Sequence, residues 1–214
     1  MTRRSPTGAS RRRGRPTAYT REQALDAAMR LFWERGYEGT SFAELVAAMR
    51  IGHATFYSAF GSKEELYREA TERYVTEYAG FFLKALKSGK DTRSSFQSLM
   101  EASAHAYTRE GLPRGCMVSL AGTHVPPVLT SVRDIMRDVR RYGEELLSAR
   151  LREGVAQGDL SPDTEVEELA AFFEAALRGM AVKARDGVSV DRLLMIGRAA
   201  MRAWPTAEVD EVRK

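Results

Sequence analysis

Capped helical segments follow one another along the sequence, and this pattern limits the fold more than any other feature. Capping boxes, in which a Ser or Thr is followed three residues later by Glu or Gln, begin at Thr20, Ser41 and Ser62. Apolar residues then recur at the spacing of amphipathic helices. No alternating strand pattern of useful length is present in the 214 residues, so we predict an all-α fold.

The capping signals and apolar spacing also predict helix boundaries. The first helix ends at Gly36, and the second and third are short, about 41–49 and 53–59. Ser62 begins a long helix that extends to Phe81. The remaining helices are predicted at 92–108, at 116–122, from Pro126 to about Glu153, at 162–184 with Ser161 as N-cap, and at 190–203.

The last two predicted helices are apolar on more than one side. One apolar stripe can face the chain's own core, and the second is either buried there too or meets a partner. We favour a two-fold, four-helix interface between two copies of the chain. The residues expected in this dimer interface are Leu169, Phe172, Ala176, Gly179, Leu194 and Met201.

The positive charge is concentrated at the start of the chain. Residues 1–21 hold seven arginines and no acid, and subtracting these seven from the 33 basic residues leaves 26 against 29 acids. Such asymmetry is typical of arms that meet nucleic acid or a membrane. Neither a signal-peptide apolar run nor a stretch of ~18 apolar residues occurs. The single cysteine, Cys116, excludes an internal disulfide, and we expect a cytoplasmic protein without membrane contact.

The two short helices and the three- or four-residue turn between them have the arrangement of a helix-turn-helix. The second helix has few apolar residues, mainly Phe56 with Phe60 just beyond it. Its outward face would therefore be able to enter a major groove. The small or hydrogen-bonding residues of this helix are His53, Ala54, Thr55, Tyr57 and Ser58.

Residues 20–67 resemble the DNA-binding domain of the TetR family of bacterial regulators. The resemblance is carried by Phe32 with Gly36-Tyr37, by Thr40-Ser41, and by TFYSAFGSKEEL at 55–66, which has the spacing T-x-Y-x-x-F-x-[ST]-K-[ED]-x-L. Beyond residue 70 the chain resembles the family's general helical C-terminal domain. The resemblance implies a basic arm at 1–18, a helix-turn-helix domain at 19–66, and a helical effector-binding and dimerisation domain at 67–206.

The resemblance also implies which residues contact DNA. Residues 52–58, from Gly52 to Ser58, would form the recognition helix, with Tyr57 against the DNA backbone. Thr40 and Ser41 would contact phosphate at a helix N-terminus, and Lys63 would pair with a phosphate. A cation in the first turn of a helix is disfavoured by the helix dipole, which independently favours a phosphate partner for Lys63. The alternatives are a solvated Lys63 and a core Tyr57.

The turn departs from the family pattern at two positions. Arg50 stands where the family usually has Gly, and Gly52 stands where it often has Ser as N-cap. A non-glycine residue in the left-handed conformation costs on the order of 1 kcal/mol. Either Arg50 compensates for this cost by reaching a phosphate, or the turn has another conformation.

The arm carries a second DNA-binding signal. Residues 13–16, Arg-Gly-Arg-Pro, match the core of an AT-hook, whose arginines fit the narrow minor groove of A·T-rich DNA. Because the arm precedes a groove-reading helix, we expect Arg11, Arg12, Arg13 and Arg15 to contact the minor groove or phosphates. A solubilising tail is the alternative.

We find no catalytic or metal-binding motif. His53, His105, His124 and Cys116 lack metal-ligand spacing, so we expect no enzyme activity, no metal and no cofactor. Cys116 lies in an apolar context, and it is either a packing residue or a redox or electrophile sensor.

These features and the resemblance predict a homodimeric transcriptional regulator, a repressor that a small-molecule effector releases from a double-stranded DNA operator. By resemblance the effector binds within residues 75–185. An architectural, nucleoid-type DNA-binding protein with no effector is the alternative. The candidate pocket residues, which as apolar positions could equally be plain core, are Tyr78, Met100, Tyr107, Met117, His124 and Phe173.

Overall fold

The structure is a computed structural model that describes residues 20–121 and 130–205. Within these segments the backbone forms helices and no β-strand, which confirms the all-α prediction. The predicted arm and His124 lie outside the described residues. The helices are α1 (Arg21–Arg35), α2 (Phe42–Met49), α3 (His53–Phe60), α4 (Lys63–Glu77), α5 (Gly80–Leu86), α6 (Thr92–Tyr107), α7 (Met117–Leu120), α8 (Thr130–Gln157), α9 (Val166–Arg185) and α10 (Val190–Ala200), followed by a 3₁₀ turn at Met201–Ala203.

The predicted caps begin α1, α2 and α4. Thr20 and Ser41 form complete capping boxes. Ser62 accepts a hydrogen bond from the backbone N–H of Glu65, but the backbone N–H of Ser62 donates to the Phe60 carbonyl at 2.8 Å. The third capping box therefore has only one of its two hydrogen bonds, the one from the Glu65 backbone to the Ser62 side chain. Each such Ser or Thr cap stabilises its helix by about 1 kcal/mol.

Three helix boundaries differ from the prediction, and one of them is the end of α8, which lies at Gln157 rather than at about Glu153. The helix after Ser62 ends at Glu77, so Phe81 belongs to a separate helix. The backbone N–H groups of Tyr78 and Ala79 both donate to the Tyr74 carbonyl, which closes the last turn of α4. The predicted N-cap Ser161 instead begins a four-residue turn, closed by a 3.0 Å bond from the Thr164 N–H to the Ser161 carbonyl. A Pro in the second position favours such a turn, and α9 begins later as a result.

Two apolar clusters hold the helices together. The first joins α1–α4 to α7 and the N-terminal part of α8, and it includes Phe32, Phe56, Tyr67, Tyr74 and Met136. The second joins α5, α6, the C-terminal part of α8, α9 and α10, and it includes Phe96, Leu99, Phe173, Leu193 and Trp204. Because α8 enters both clusters, it links the α1–α3 unit to the remaining helices.

A direct contact also joins α9 to α1. The guanidinium of Arg185, in the last turn of α9, donates to the backbone carbonyls of Trp33 at 2.5 Å and Glu34 at 2.6 Å. Carbonyls in the last turn of a helix lack intrahelical partners, so Arg185 caps α1. Burial of the guanidinium lowers the pKa of Arg185, and the charge of Glu34 opposes this shift.

Candidate functional site

α3 is attached to the first cluster by two phenylalanines and exposes the rest of its surface. Phe56 and Phe60 are buried beneath it. The predicted outward residues Gly52, His53, Ala54, Thr55, Tyr57 and Ser58 are all exposed. A helix anchored in this way can enter a DNA major groove without losing its core contacts.

Tyr57 is the most prominent exposed side chain of α3. It is 57% exposed, which excludes the alternative of a core aromatic. Its ring stacks on Phe42, with 5.4 Å between ring centroids, and Phe42 also contacts the rings of His53 and Phe56. Phe42 thus supports the outward face of α3. Sequence reasoning did not identify this role of Phe42, because the cross-helix stacking has no local signal.

The neighbours Thr40 and Ser41 have different environments. Ser41 is exposed at the start of α2 and exchanges hydrogen bonds with Glu44. Thr40 is fully buried, and its hydroxyl donates to the Gly36 carbonyl at 2.7 Å. The Thr40 hydroxyl therefore stabilises the turn between α1 and α2, and the predicted phosphate contact at this helix N-terminus remains a prediction. We keep Ser41 in the candidate interface.

Lys63 lies at the start of α4 with its ammonium over the ring of Tyr37, 4.1 Å from the ring centroid. Burial lowers the pKa of Lys63, and the charges of Glu38 and Glu44 oppose the shift. Among the described residues no carboxylate lies within salt-bridge distance of its ammonium. The cation is thus held in place by a ring, and the predicted contact with a phosphate remains a prediction.

The turn between α2 and α3 contains a residue in the left-handed conformation, which was one of the two alternatives for Arg50. Arg50 has φ 54° and ψ 38°, and among the described residues every other positive-φ position is a glycine. Its backbone N–H donates to the carbonyls of Ala47 and Val46, which closes α2. The position therefore has the conformation that favours glycine.

We expect the Arg50→Gly variant to melt about 2–4 °C higher than the parent, because it relieves roughly 1 kcal/mol of backbone strain. Differential scanning calorimetry of Arg50→Gly and Arg50→Ala measures the effect. The alanine variant loses the same side chain but keeps the left-handed strain, so it should not gain stability. Equal melting temperatures for the two variants would contradict the prediction.

A second feature is a partly open, largely apolar cavity of about 140 Å³ lined by residues of α4–α9 and the adjoining turns. Its walls include Phe81, Phe82, Val139, Leu146 and Leu177, and its polar lining includes Tyr107, Cys116, Arg140, Glu174 and Arg178. A neighbouring cavity of about 160 Å³ is lined by Trp33, Tyr78 and Leu112 and shares Tyr74, Phe81 and Tyr107 with the first. We call the first the central cavity.

The predicted pocket residues divide into two groups. Tyr107 lines the central cavity and Tyr78 lines its neighbour. Met100, Met117 and Phe173 are buried packing residues outside both cavities, so for these three a contact with the ligand remains a prediction that neither cavity supports. Apolar side chains at helical spacing look alike in sequence, whether they face another helix or a cavity. Sequence reasoning missed Arg140, Gly143 and Arg178, because long-range packing brings them to the wall.

The two arginines of the central cavity differ in their partners. Nη1 of Arg140 donates to the carbonyls of Val118 at 3.3 Å and Ala121 at 2.8 Å. Arg178 forms an ion pair with Glu174, one turn away on α9. Burial, followed by the charge of Arg178, lowers the pKa of Arg140. The wall therefore carries two cations and one carboxylate.

Cys116 is half-buried at the wall of the same cavity. Its sulfur accepts a hydrogen bond from the Tyr74 hydroxyl at 3.3 Å and caps α7 through the Ser119 N–H. Burial, followed by the nearby Cys116, raises the pKa of Tyr74 well above its usual value. The tyrosine therefore stays protonated and donates to the sulfur.

The outward sides of α9 and α10 form an apolar surface, which we call the outer face. Phe172 is 42% exposed and Gly179 is exposed, while Leu169, Ala176 and Leu194 are half-buried. Met201 is buried in the second apolar cluster, so its predicted place in the dimer interface is wrong. Val182 and Met195, which were not predicted, are exposed.

Neither a metal-binding group nor a membrane-spanning helix occurs in the described segments. No group of three or more His, Cys, Asp or Glu side chains there could hold a metal ion. None of the helices described is both long and apolar enough to cross a membrane.

Comparison with known proteins agrees with this geometry over most of the chain. Residues 24–70 match the model of bacterial regulatory proteins of the tetR family, and residues 94–192 match that of the tetracyclin repressor-like C-terminal domain. The HTH-type transcriptional repressor ComR of Escherichia coli (strain K12) is 33% identical over 194 residues, which cover 90% of this chain and 92% of ComR. BdcR, a repressor from the same organism, is 27% identical and covers 92% of this chain and 95% of BdcR.

Solved structures give the same result. A cysteine mutant of the TetR family transcriptional regulator CifR, complexed with 26-bp double-strand operator DNA, is 41% identical to this chain. The alignment covers 89% of this chain and 100% of the CifR chain, with a TM-score of 0.85.

Proposed function

The chain belongs to the TetR family of bacterial regulatory proteins, and we propose that it is a homodimeric transcriptional repressor that a small molecule releases from its DNA operator. The observation that carries this proposal is α3, an exposed, hydrogen-bonding helix anchored by Phe56 and Phe60 and separated from α2 by a tight turn. Members of this family are regulators, and we assign the chain no enzyme activity. It would act in the cytoplasm, bound to the nucleoid.

We propose a division of labour among three parts of the chain. Residues 1–18 form an arm that contacts the minor groove or phosphates, and residues 19–66 form the DNA-binding domain. Residues 67–206 bind the effector and the second subunit. The presence of the central cavity favours an effector-controlled repressor over an architectural DNA-binding protein, which needs no such cavity.

The outer face supports the dimer. Phe172, Val182 and Met195 are large apolar side chains exposed on adjacent helices, and a second copy would bury them. Gly179 lies between them in sequence, and a Cβ added there would meet no atom within 4 Å. A partner helix can approach closely at such a position.

α9 supplies a physical link between effector and DNA. Glu174, Leu177 and Arg178 line the central cavity, and Arg185 on the same helix caps α1. An effector that binds more tightly to a conformation in which α9 is displaced would favour that conformation. The two DNA-binding domains of the dimer would then no longer match the spacing of the operator half-sites. By reciprocity, operator DNA would weaken effector binding by the same factor.

The test of this function is selection of operator DNA from a random pool, followed by binding measurements on α3 variants. Thr55→Ala and Tyr57→Ala should each weaken operator binding by about 1–3 kcal/mol if these side chains contact bases or phosphates. Fluorescence anisotropy gives the affinities, and circular dichroism confirms folding.

Arg141→Ala is the control, because Arg141 is an exposed side chain (67%) on α8 that does not line the central cavity. It should bind the operator like the parent. If both α3 variants bind like the parent too, α3 is not the recognition helix. If the pool yields no enriched sequence, the protein is not a sequence-specific regulator.

A further inference from the structure

The size of the central cavity limits what can occupy it. Its volume of about 140 Å³ is lined mainly by aliphatic and aromatic side chains. An apolar protein cavity of about 150 Å³ is large enough to bind benzene. The space therefore suits a compact molecule with roughly one ring.

A glycine in the wall keeps this space open. Gly143 lies in the middle of α8 and lines the cavity. Glycine weakens a helix interior by roughly 0.5–1 kcal/mol relative to alanine. A Cβ at this position would meet no atom within 4 Å, so no close neighbour in the described structure requires glycine there. A larger side chain would enter space that a ligand could use.

The polar end of the cavity has more donors than acceptors. Arg140 uses Nη1 for both of its carbonyl bonds, and its other N–H groups have no acceptor among the described residues. The carboxylate of Glu174 is already engaged by Arg178. The guanidinium of Arg140 is half-buried, and its unused donors would be stabilised by an acceptor, more strongly by an anionic one.

We propose that the molecule bound in the central cavity is a compact, largely apolar compound of about six to ten non-hydrogen atoms that carries one hydrogen-bond acceptor group, held by Arg140. A neutral carbonyl and a carboxylate both satisfy this chemistry, and a cation does not. That this compound is the effector rests on the proposed function.

The test uses four probes of similar size and different polarity, titrated into the full chain without DNA by isothermal calorimetry. Benzoate carries an anionic acceptor, acetophenone a neutral one, toluene none, and benzylamine a cation. Benzoate and acetophenone should bind at least about 10-fold more tightly than toluene, because each gains a bond to a charged donor. Benzylamine should bind most weakly. Preference for benzoate over acetophenone would assign the natural ligand to the carboxylates, and the reverse would assign it to neutral carbonyl compounds.

Substitutions in the wall of the central cavity test separately how charge and volume affect ligand binding. Arg140→Met should abolish the advantage of benzoate over toluene, whereas Arg141→Met should retain it, since Arg141 is the exposed neighbour that pairs with Asp138 and Glu145. Gly143→Leu leaves Arg140 in place and should weaken benzoate binding at least about 10-fold, whereas Gly143→Ala should bind nearly as the parent does. The second pair keeps the test valid if the Arg140 variant does not fold.

Three results would overturn the proposal. Benzylamine binding as tightly as benzoate, no binding of any probe, or unchanged benzoate binding by Gly143→Leu would each do so. Operator affinity is measured separately with and without benzoate. If the parent binds operator but no probe, the ligand assignment fails and the repressor function stands. If the probes bind as expected and no operator is found, the repressor function fails and the ligand site stands.

Discussion

Replacing Phe172 with glutamate is expected to convert the dimer to monomers and to weaken operator binding by more than about 100-fold. Phe172 is 42% exposed in the single chain and lies on the outer face of α9. In the proposed dimer its ring would be buried against the second copy. An unpaired carboxylate there would lose its hydration without a compensating partner, which costs several kcal/mol.

The loss of DNA binding follows from the loss of the partner. Two linked recognition helices read half-sites about one helical turn, ~34–36 Å, apart, and the second contact is made at high effective concentration. A monomer retains only one set of contacts. Its affinity should therefore fall far more than a single α3 substitution would cause.

Light scattering after size exclusion gives the mass, and anisotropy gives the operator affinity. Gln157→Glu is the control, since it adds a carboxylate at an exposed residue at the end of α8, outside the outer face and the central cavity. It should remain dimeric and bind the operator like the parent. A Phe172→Glu protein that remains dimeric would place the interface elsewhere on the molecule.

Local chemistry explains which parts of the fold could be predicted. The boxes at Thr20 and Ser41 depend on residues three apart, and both are complete in the structure. The exposure of α3 followed from its composition. The Ser161 signal failed because Ser-Pro begins a turn as readily as a helix, and the choice depends on residues that follow.

Long-range packing explains what could not be predicted. Thr40 matched a family position, yet its burial depends on how α1 approaches α2. Met201 is apolar, as a residue of the interface would be, but it is buried with Trp204 in the second apolar cluster. The Arg185 cap on α1 joins residues more than 150 positions apart, and no local pattern indicates it.

The arm gives the second large expected effect, a change in the salt dependence of DNA binding. The arginines at 11, 12, 13 and 15 precede the first residue of α1, Arg21, by six to ten positions, and five residues separate Arg15 from Arg21. An extended segment of about five residues spans roughly 15–18 Å, which is enough to reach the minor groove beside the major-groove site. Each phosphate contact contributes up to ~0.9 to the slope of log affinity against log salt.

Deleting residues 1–15 should leave the fold and the dimer intact, because this arginine-rich segment, interrupted by Pro6, Gly8 and Gly14, offers few apolar side chains to a core. Operator binding should weaken, and the slope should flatten by several units if both arms of a dimer lose their contacts. The full chain should also prefer A·T-rich flanks, where the minor groove is narrow and most negative, and the truncated chain should not.

The matched control replaces Arg3 and Arg4 with serine, because these arginines lie farther from α1 and should matter less. The measurement is a salt titration of all three proteins on operators with A·T-rich and G·C-rich flanks. If the truncation alters neither the slope nor the flank preference, the arm is a solubilising tail, and DNA recognition belongs to the helix-turn-helix alone.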